Sequence, residues 1–489
     1  MKNIVYYIAI ATVLLFASCA SELDTEPSGS QVSDEQLGEL IKENADLVLA
    51  PMMQGAVNYM HTGNHRATTN DCGFMVWNLG MDLQGNDMVL TKLTNWFADV
   101  YMFESIRAQT NAYTADRWYC YYKIVYQSNQ ILDLIPDDVT GKALVYKAQA
   151  LTYRALAYYY LMCVYQDDYM HGGKDKAGVP LYLTVEGAKG RTPSTEVYST
   201  ITTDLQNAIA LFEQEGYDPK SSTADIDQTV ANMVLARVAL TTGDYTTAAN
   251  AAGAVISAGY SLMNEEQYTT SGFQSTSLPE TIWGYTWAAS TSLGNRSFAS
   301  FMSITAVDNA NNKGIYMAID DQLYNQIADT DYRKKNFNAT ETTVGDFTYP
   351  AYSNVKFNTP TYEADEIYMR LSEAYLLKAE AEARGGNSSA AQQTLYDLVS
   401  KRDSGYAKSS NTGEALLKEI FLQSRIELWG EGHEFFTNKR FNVGVDRTAS
   451  SNHTHKLVKA AGKEFTYQIP LSIELNSNPY INAADQNPL

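Results

Sequence analysis

Residues 231–259 read ANMVLARVALTTGDYTTAANAAGAVISAG, and the fold is decided there. Leu235, Ala236, Ala239 and Leu240 recur at three- and four-residue steps before Gly243-Asp244-Tyr245, and Ala248, Ala252 and Val255 do so after it. Side chains spaced in this way share one helix face. Small residues on facing sides let two antiparallel helices approach, and the glycine supplies the tight turn between them. The stretch therefore predicts a tetratricopeptide-like helix pair. A second copy follows downstream, with Leu371, Tyr375 and Ala379 before Gly386-Asn387-Ser388, and Ala391, Leu395 and Leu398 after it. The two copies lie too far apart for one tandem array, so long insertions are expected between helix pairs.

Working outward, helical period marks segments near 34–59 and 114–135. A long helix is expected from Gly141 to Gln166, with Leu144, Ala148, Leu151, Ala155 and Tyr159 on one face, and two more over Ser194–Gln214 and Thr229–Thr242. The period fails in two regions, roughly 60–113 and 260–362, which are rich in Gly, Asn, Thr, Ser and aromatics. Glu280–Trp287 alternates and predicts a strand with Trp283, Tyr285 and Trp287 on one side. The expected fold is mainly α: helix pairs forming a scaffold over residues 34–489 as one domain, with irregular insertions that contain a few short strands.

The N-terminus speaks to location. Lys2, an apolar run from Ile4 to Phe16, and Ala17-Ser18 before Cys19 form a signal peptide over residues 1–18. The run is shorter than the roughly 20 residues needed to span a bilayer. Small residues before Cys19 are what lipoprotein processing requires, although Phe16 stands where a branched aliphatic is usual. Cys19 is thus expected to carry lipid, with residues 19–33 as a polar, acidic tether and the lipid as the sole membrane attachment; ordinary signal cleavage near Ala17 is the alternative reading.

Composition excludes several classes. A formal net charge of -20, with 36 basic and 56 acidic residues, leaves no basic cluster to neutralise phosphates, so nucleic acid is not an expected partner. Cys72, Cys120 and Cys163 have no metal-ligand spacing and read as buried thiols. His433-Glu434 opens like a zinc-protease helix, but Thr437 stands where the second histidine would complete it. His61 and His65 alone do not make a zinc site. Carboxylate pairs such as Asp82 with Asp87, or Asp320 with Asp321, could hydrolyse a glycoside, yet such pairs are expected by accident among 56 acids. No enzyme activity, cofactor or metal is expected.

A binding constellation remains. Flat aromatic rings meet the CH face of a pyranose while amides and carboxylates take its hydroxyls, each ring contributing about 1 kcal/mol. The first insertion offers Trp77, Asp82, Asn86, Asp87, Asn95 and Trp96; the second offers Tyr285, Trp287, Arg296 and Phe298. For each of these a core role competes, and Trp283, Tyr285 and Trp287 could simply pack on helices.

The ordered motifs resemble the SusD/RagB family of outer-membrane nutrient-binding lipoproteins. The resemblance is carried by AQALTYRALAYYYLMCVY at 148–165 with Val179-Pro180-Leu181, the helix pair at 231–259, YMRLSEAYLLKAEAEAR at 368–384, SRIELWGEGHEFFTNKR at 424–440, and Ile469-Pro470 with the segment from Asn476 to Leu489. It implies a helical scaffold that packs on one side against a SusC-like TonB-dependent transporter and captures oligosaccharide on the face built by the insertions, without catalysis. It also implies that Glu431, His433 and Arg440 are structural, a buried polar network that orients helices. The family's ligand residues fall in variable insertions, so none carries over by motif. A peptide or glycopeptide ligand on the same scaffold, or a transporter partner with no ligand of its own, are the alternative readings.

Overall fold

The computed structural model describes residues 33–63, 72–93, 97–104, 107–217, 222–305 and 317–489. The expected signal peptide, Cys19 and all of the expected tether except Ser33 lie outside the described residues.

The scaffold is a run of antiparallel helices: α1 (Asp34–Glu43), α2 (Ala45–Thr62), α3 (Phe74–Asp82), α4 (Ala112–Leu134), α5 (Lys142–Tyr165), α6 (Ser194–Glu215), α7 (Gln228–Thr242), α8 (Tyr245–Ile256), α9 (Leu371–Arg384), α10 (Ser388–Val399), α11 (Gly413–Glu427) and α12 (Glu434–Arg440). The segment expected at 34–59 is two helices, broken at Asn44, whose N–H still donates to Leu40 O while its own backbone turns extended. Ser33 opens α1 with a capping box to Gln36.

Both helix pairs are present, and their turns are built alike. Gly243 and Gly386 have φ of +82° and +85°, a conformation that glycine adopts without strain. The next residue, Asp244 or Asn387, caps the second helix by accepting the N–H three residues on. Ala248, Ala252, Val255, Ala391, Leu395 and Leu398 are all buried. In space the copies adjoin, because α8 packs directly on α9. The intervening chain is looped out, and the stack continues across a gap of more than one hundred residues of sequence.

Where one buried face is expected for α5, nearly all of the helix is buried. It lies between α4 and α6 and also touches α2; a helix enclosed on all sides carries apolar residues all round.

Four short strands matter for the site: β1 (Met88–Leu90), β2 (Thr281–Tyr285), β3 (Met317–Ile319) and β4 (Glu366–Arg370). β1 pairs antiparallel with β3, and β2 pairs antiparallel with β4. The β2–β4 ladder closes the neck of the second insertion. A Cβ on Gly284 would lie 2.5 Å from Glu366 O, so glycine is what lets these strands meet.

Beneath that neck sits a buried ionic network. Glu427, fully buried at the end of α11, accepts from Arg370 at 2.7 Å, Arg402 at 3.0 Å and Arg333 at 3.1 Å. Arg370 also bonds Glu280 at 2.9 Å and Glu431 at 2.6 Å, and Lys356 bonds Glu431 at 2.5 Å. With Asp331 on Arg333 at 2.7 Å, four cations face four anions. Nearby, Arg440 pairs with Glu380, and Arg237 pairs with Glu373, which lies 3.8 Å from His433. Glu431, His433 and Arg440 are therefore parts of the buried polar framework, as the resemblance implied.

Candidate functional site

The first insertion does not present its polar residues to a ligand. Trp77 is 1% exposed and packs edge-on against Tyr121, with ring centroids 5.4 Å apart. Asp82 is buried and accepts the Gly432 and Glu434 N–H groups at 2.7 and 2.9 Å. Asp87 is buried under Arg425, and Asn86, half-buried, bridges Gly444 O and Asp446 N. The assignment of Trp77, Asp82, Asn86 and Asp87 to a ligand face is thus corrected. Their polar atoms are used to tie this insertion to residues 425–446, and Trp77 serves the core. Trp77 and Asp82 lie on α3, a short helix within the region expected to be irregular; it is buried all round, so its sequence carries no polar face that marks which side chains point inward. Asn95 and Trp96 lie outside the described residues.

In the second insertion Phe298 is also core, packed edge-on against Phe357 at 5.1 Å, which corrects that expectation as well. Arg296 is half-buried in a short turn at Gly294–Arg296. Tyr285 and Trp287 do come together: Tyr285 is half-buried, and its ring meets Trp287 edge-on at 4.7 Å. Trp287 is itself 5% exposed, so Tyr285 is the more accessible of the two. Trp283, at 0% exposure, is core, and its indole N–H donates to Ala224 O at 3.3 Å.

Behind Tyr285 lies His61 from the last turn of α2, stacked on it with centroids 3.7 Å apart. His61 Nδ1 is 2.6 Å from the Tyr368 hydroxyl, which donates in turn to Glu366 Oε2 at 3.2 Å. The tautomer sets whether Nδ1 donates to that hydroxyl or accepts from it, and Nε2, which faces no partner among the described residues, takes the opposite role. Burial pushes the His61 pKa down to about 3, so the ring is neutral at physiological pH.

A cavity of about 210 Å³ opens beside these rings, walled by α2, α5, the segment before α7, and β2. Ala50, Met53, Val57 and Ile226 give it apolar surface, while Gln54, Tyr146, Gln149, Tyr153 and Asp225 give it polar groups. Sequence reasoning missed this polar set. A signal was available in Gln149 and Tyr153, four residues apart on α5 and therefore on one face.

Glu366 carries a pH dependence. Burial pushes its pKa up to about 8, so the fold keeps its proton where the unfolded chain releases it. The associated stability is present below the ordinary glutamate value of 4.5 and is lost as pH rises toward 8. The melting temperature of Glu366→Gln relative to that of the native chain is therefore expected to rise between about pH 5 and pH 8.5; thermal scans of both chains across this range provide the measurement.

Two family profiles match the chain in succession. One, described as starch-binding associating with outer membrane, covers residues 24–240, and another, the SusD family, covers residues 260–483. Among curated proteins no relative matches. Several solved structures share the fold. A SusD-like carbohydrate binding protein from Bacteroides vulgatus superposes with a TM-score of 0.78 at 24% identity, covering 90% of this chain and 98% of the other. A SusD superfamily protein from Bacteroides thetaiotaomicron gives 0.75 at 22% identity over 91% and 99%. Surface glycan-binding protein A from Bacteroides uniformis gives 0.67 at 17% identity over 90% and 99%.

Proposed function

Because the chain belongs to the SusD/RagB family, we propose that it is a cell-surface glycan-binding protein that captures oligosaccharide and passes it, chemically unchanged, to a TonB-dependent transporter in the outer membrane. The observation that carries this reading is the cavity beside Tyr285, where an accessible aromatic ring borders apolar wall and hydrogen-bonding groups in one concavity. The outer-membrane association in the first profile's description and the glycan- or carbohydrate-binding names of two structural relatives support it. Lipid on Cys19 would hold the protein at that membrane; no helix of the described residues is long and apolar enough to cross one.

Binding rather than turnover also suits the way the buried carboxylates are used. Asp82 and Asp87 are engaged by backbone amides and by Arg425, respectively, and hold the fold together. Isothermal titration of the chain lacking its signal peptide against a panel of plant and host oligosaccharides tests the proposal, and uniform absence of heat overturns it. For a glycan that binds, Tyr285→Ala is expected to weaken affinity roughly tenfold, equivalent to about 1.4 kcal/mol.

A further inference from the structure

The cavity beside Tyr285 holds polar atoms that the fold itself leaves unused. Tyr153 is 2% exposed, and its hydroxyl has no hydrogen-bond partner among the described residues. Gln149 is likewise buried and spends its amide N–H on Ile226 O at 3.1 Å, leaving Oε1 unbonded among those residues. His61 Nε2 is the third such atom, its partner nitrogen being committed to Tyr368. These atoms open on the cavity, where water or a ligand can complete them. Asp225 adds an exposed carboxylate to the lining, close enough to Tyr146, Tyr153 and Tyr217 to help raise all three phenols.

The charge of the lining is one-sided. Among the described residues it contains the Asp225 carboxylate and no lysine or arginine. A nearby cation, Lys142 over the Tyr146 ring, is held by Asp46 at 2.6 Å, and Tyr146 gives its own hydroxyl to the same carboxylate. His61 adds no positive charge, as described above. Among the described lining residues an anionic group entering here would meet Asp225 and no guanidinium or ammonium to offset it.

We infer that this cavity receives one uncharged pyranose residue of the captured glycan and rejects uronate and sulfated sugars. The inference rests on the glycan-binding reading above and specifies the class of sugar at the site. The volume suits one ring. Asp225 and Gln149 Oε1 accept from sugar hydroxyls, Tyr153 and His61 Nε2 donate or accept, and Met53, Val57 and Ile226 meet the CH face.

The test is titration of the full mature chain with neutral oligosaccharides (galacto-, xylo- and malto-oligosaccharides) and with anionic ones (oligogalacturonides and sulfated chondroitin fragments). It is repeated for Asp225→Asn and for Tyr153→Phe, which removes only the unpartnered hydroxyl; thermal unfolding verifies that both variants are folded. The expected result is binding of at least one neutral series, little or none of the anionic series, a loss of about tenfold or more in Asp225→Asn and a loss of several-fold in Tyr153→Phe. Anionic sugars binding as well as or better than neutral ones would overturn the inference and leave glycan binding intact. Neutral binding unchanged in both folded variants would do the same. No binding of either series would remove both the inference and the function on which it rests.

Discussion

Replacing Glu427 with alanine is expected to destabilise the protein by about 3–5 kcal/mol, more than any other single removal of a charge. Glu427 is fully buried and serves Arg333, Arg370 and Arg402 at once. Without it the network retains four cations against three anions, and three guanidinium groups lose an acceptor in a place water does not reach. Glu427→Gln keeps the shape and one acceptor oxygen, so its cost is expected to be smaller though still large. The three arginines hold the Glu427 pKa well below the ordinary glutamate value of 4.5. Its stabilising contribution is therefore complete above that ordinary value and is lost only as the pH falls through the lowered one. Urea unfolding at neutral pH is the measurement. A useful contrast is Lys335, paired at 2.6 Å with Glu265 while both are more than half exposed. Lys335→Ala is expected to change stability by at most about 1 kcal/mol.

Gly73→Ala is expected to cost about 3 kcal/mol and to weaken ligand binding more than roughly tenfold. The residue has φ +87°, and a Cβ there would lie 1.9 Å from His61 O. That oxygen is backbone and cannot swing aside. The end of α2 must then move, carrying with it the imidazole that stacks on Tyr285 and meets Tyr368. Gly141→Ala separates the two causes: its φ is +65°, but no described residue lies within 4 Å of the added carbon. Backbone strain alone applies there, and binding should be unaffected. Thermal unfolding and titration of both variants measure the difference.

The scaffold was legible in the sequence because its helices are long and their turns are chemically explicit. Gly243-Asp244 and Gly386-Asn387 announce both the left-handed turn and the cap that follows it, and the expected boundaries of α5, α6 and α7 agree with the structure to within a residue. The candidate site was legible only at Tyr285; Trp287, expected beside it, lies past the end of β2, is buried against the Tyr285 ring and does not line the cavity. Trp77 and Phe298 could not be told from surface aromatics, because the short helices that carry them, α3 and Phe298–Met302, are buried all round and show no amphipathic period. His61, Gln149, Tyr153 and Asp225 come from α2, α5 and the segment before α7, and only tertiary packing brings them into one cavity. The pairing of Asp87 with Arg425 was hidden for the same reason, since no local pattern links residues so distant along the chain.

Those long-range ties bear on how the protein can be altered in evolution. Arg447, buried beneath the first insertion, donates to the carbonyls of Leu83, Gly85 and Tyr101, while Asp82 caps the Gly432–Glu434 turn and Arg425 holds Asp87. The insertion is therefore fastened by residues more than three hundred positions away. Recombination between two relatives at a crossover in the middle of the chain would inherit each side of these fastenings from a different parent. Such chimeras would survive only where both parents share the same lock, whereas exchange of the short surface turns leaves it untouched. Sequence change is thus free to accumulate in those turns while the interlocked halves descend together.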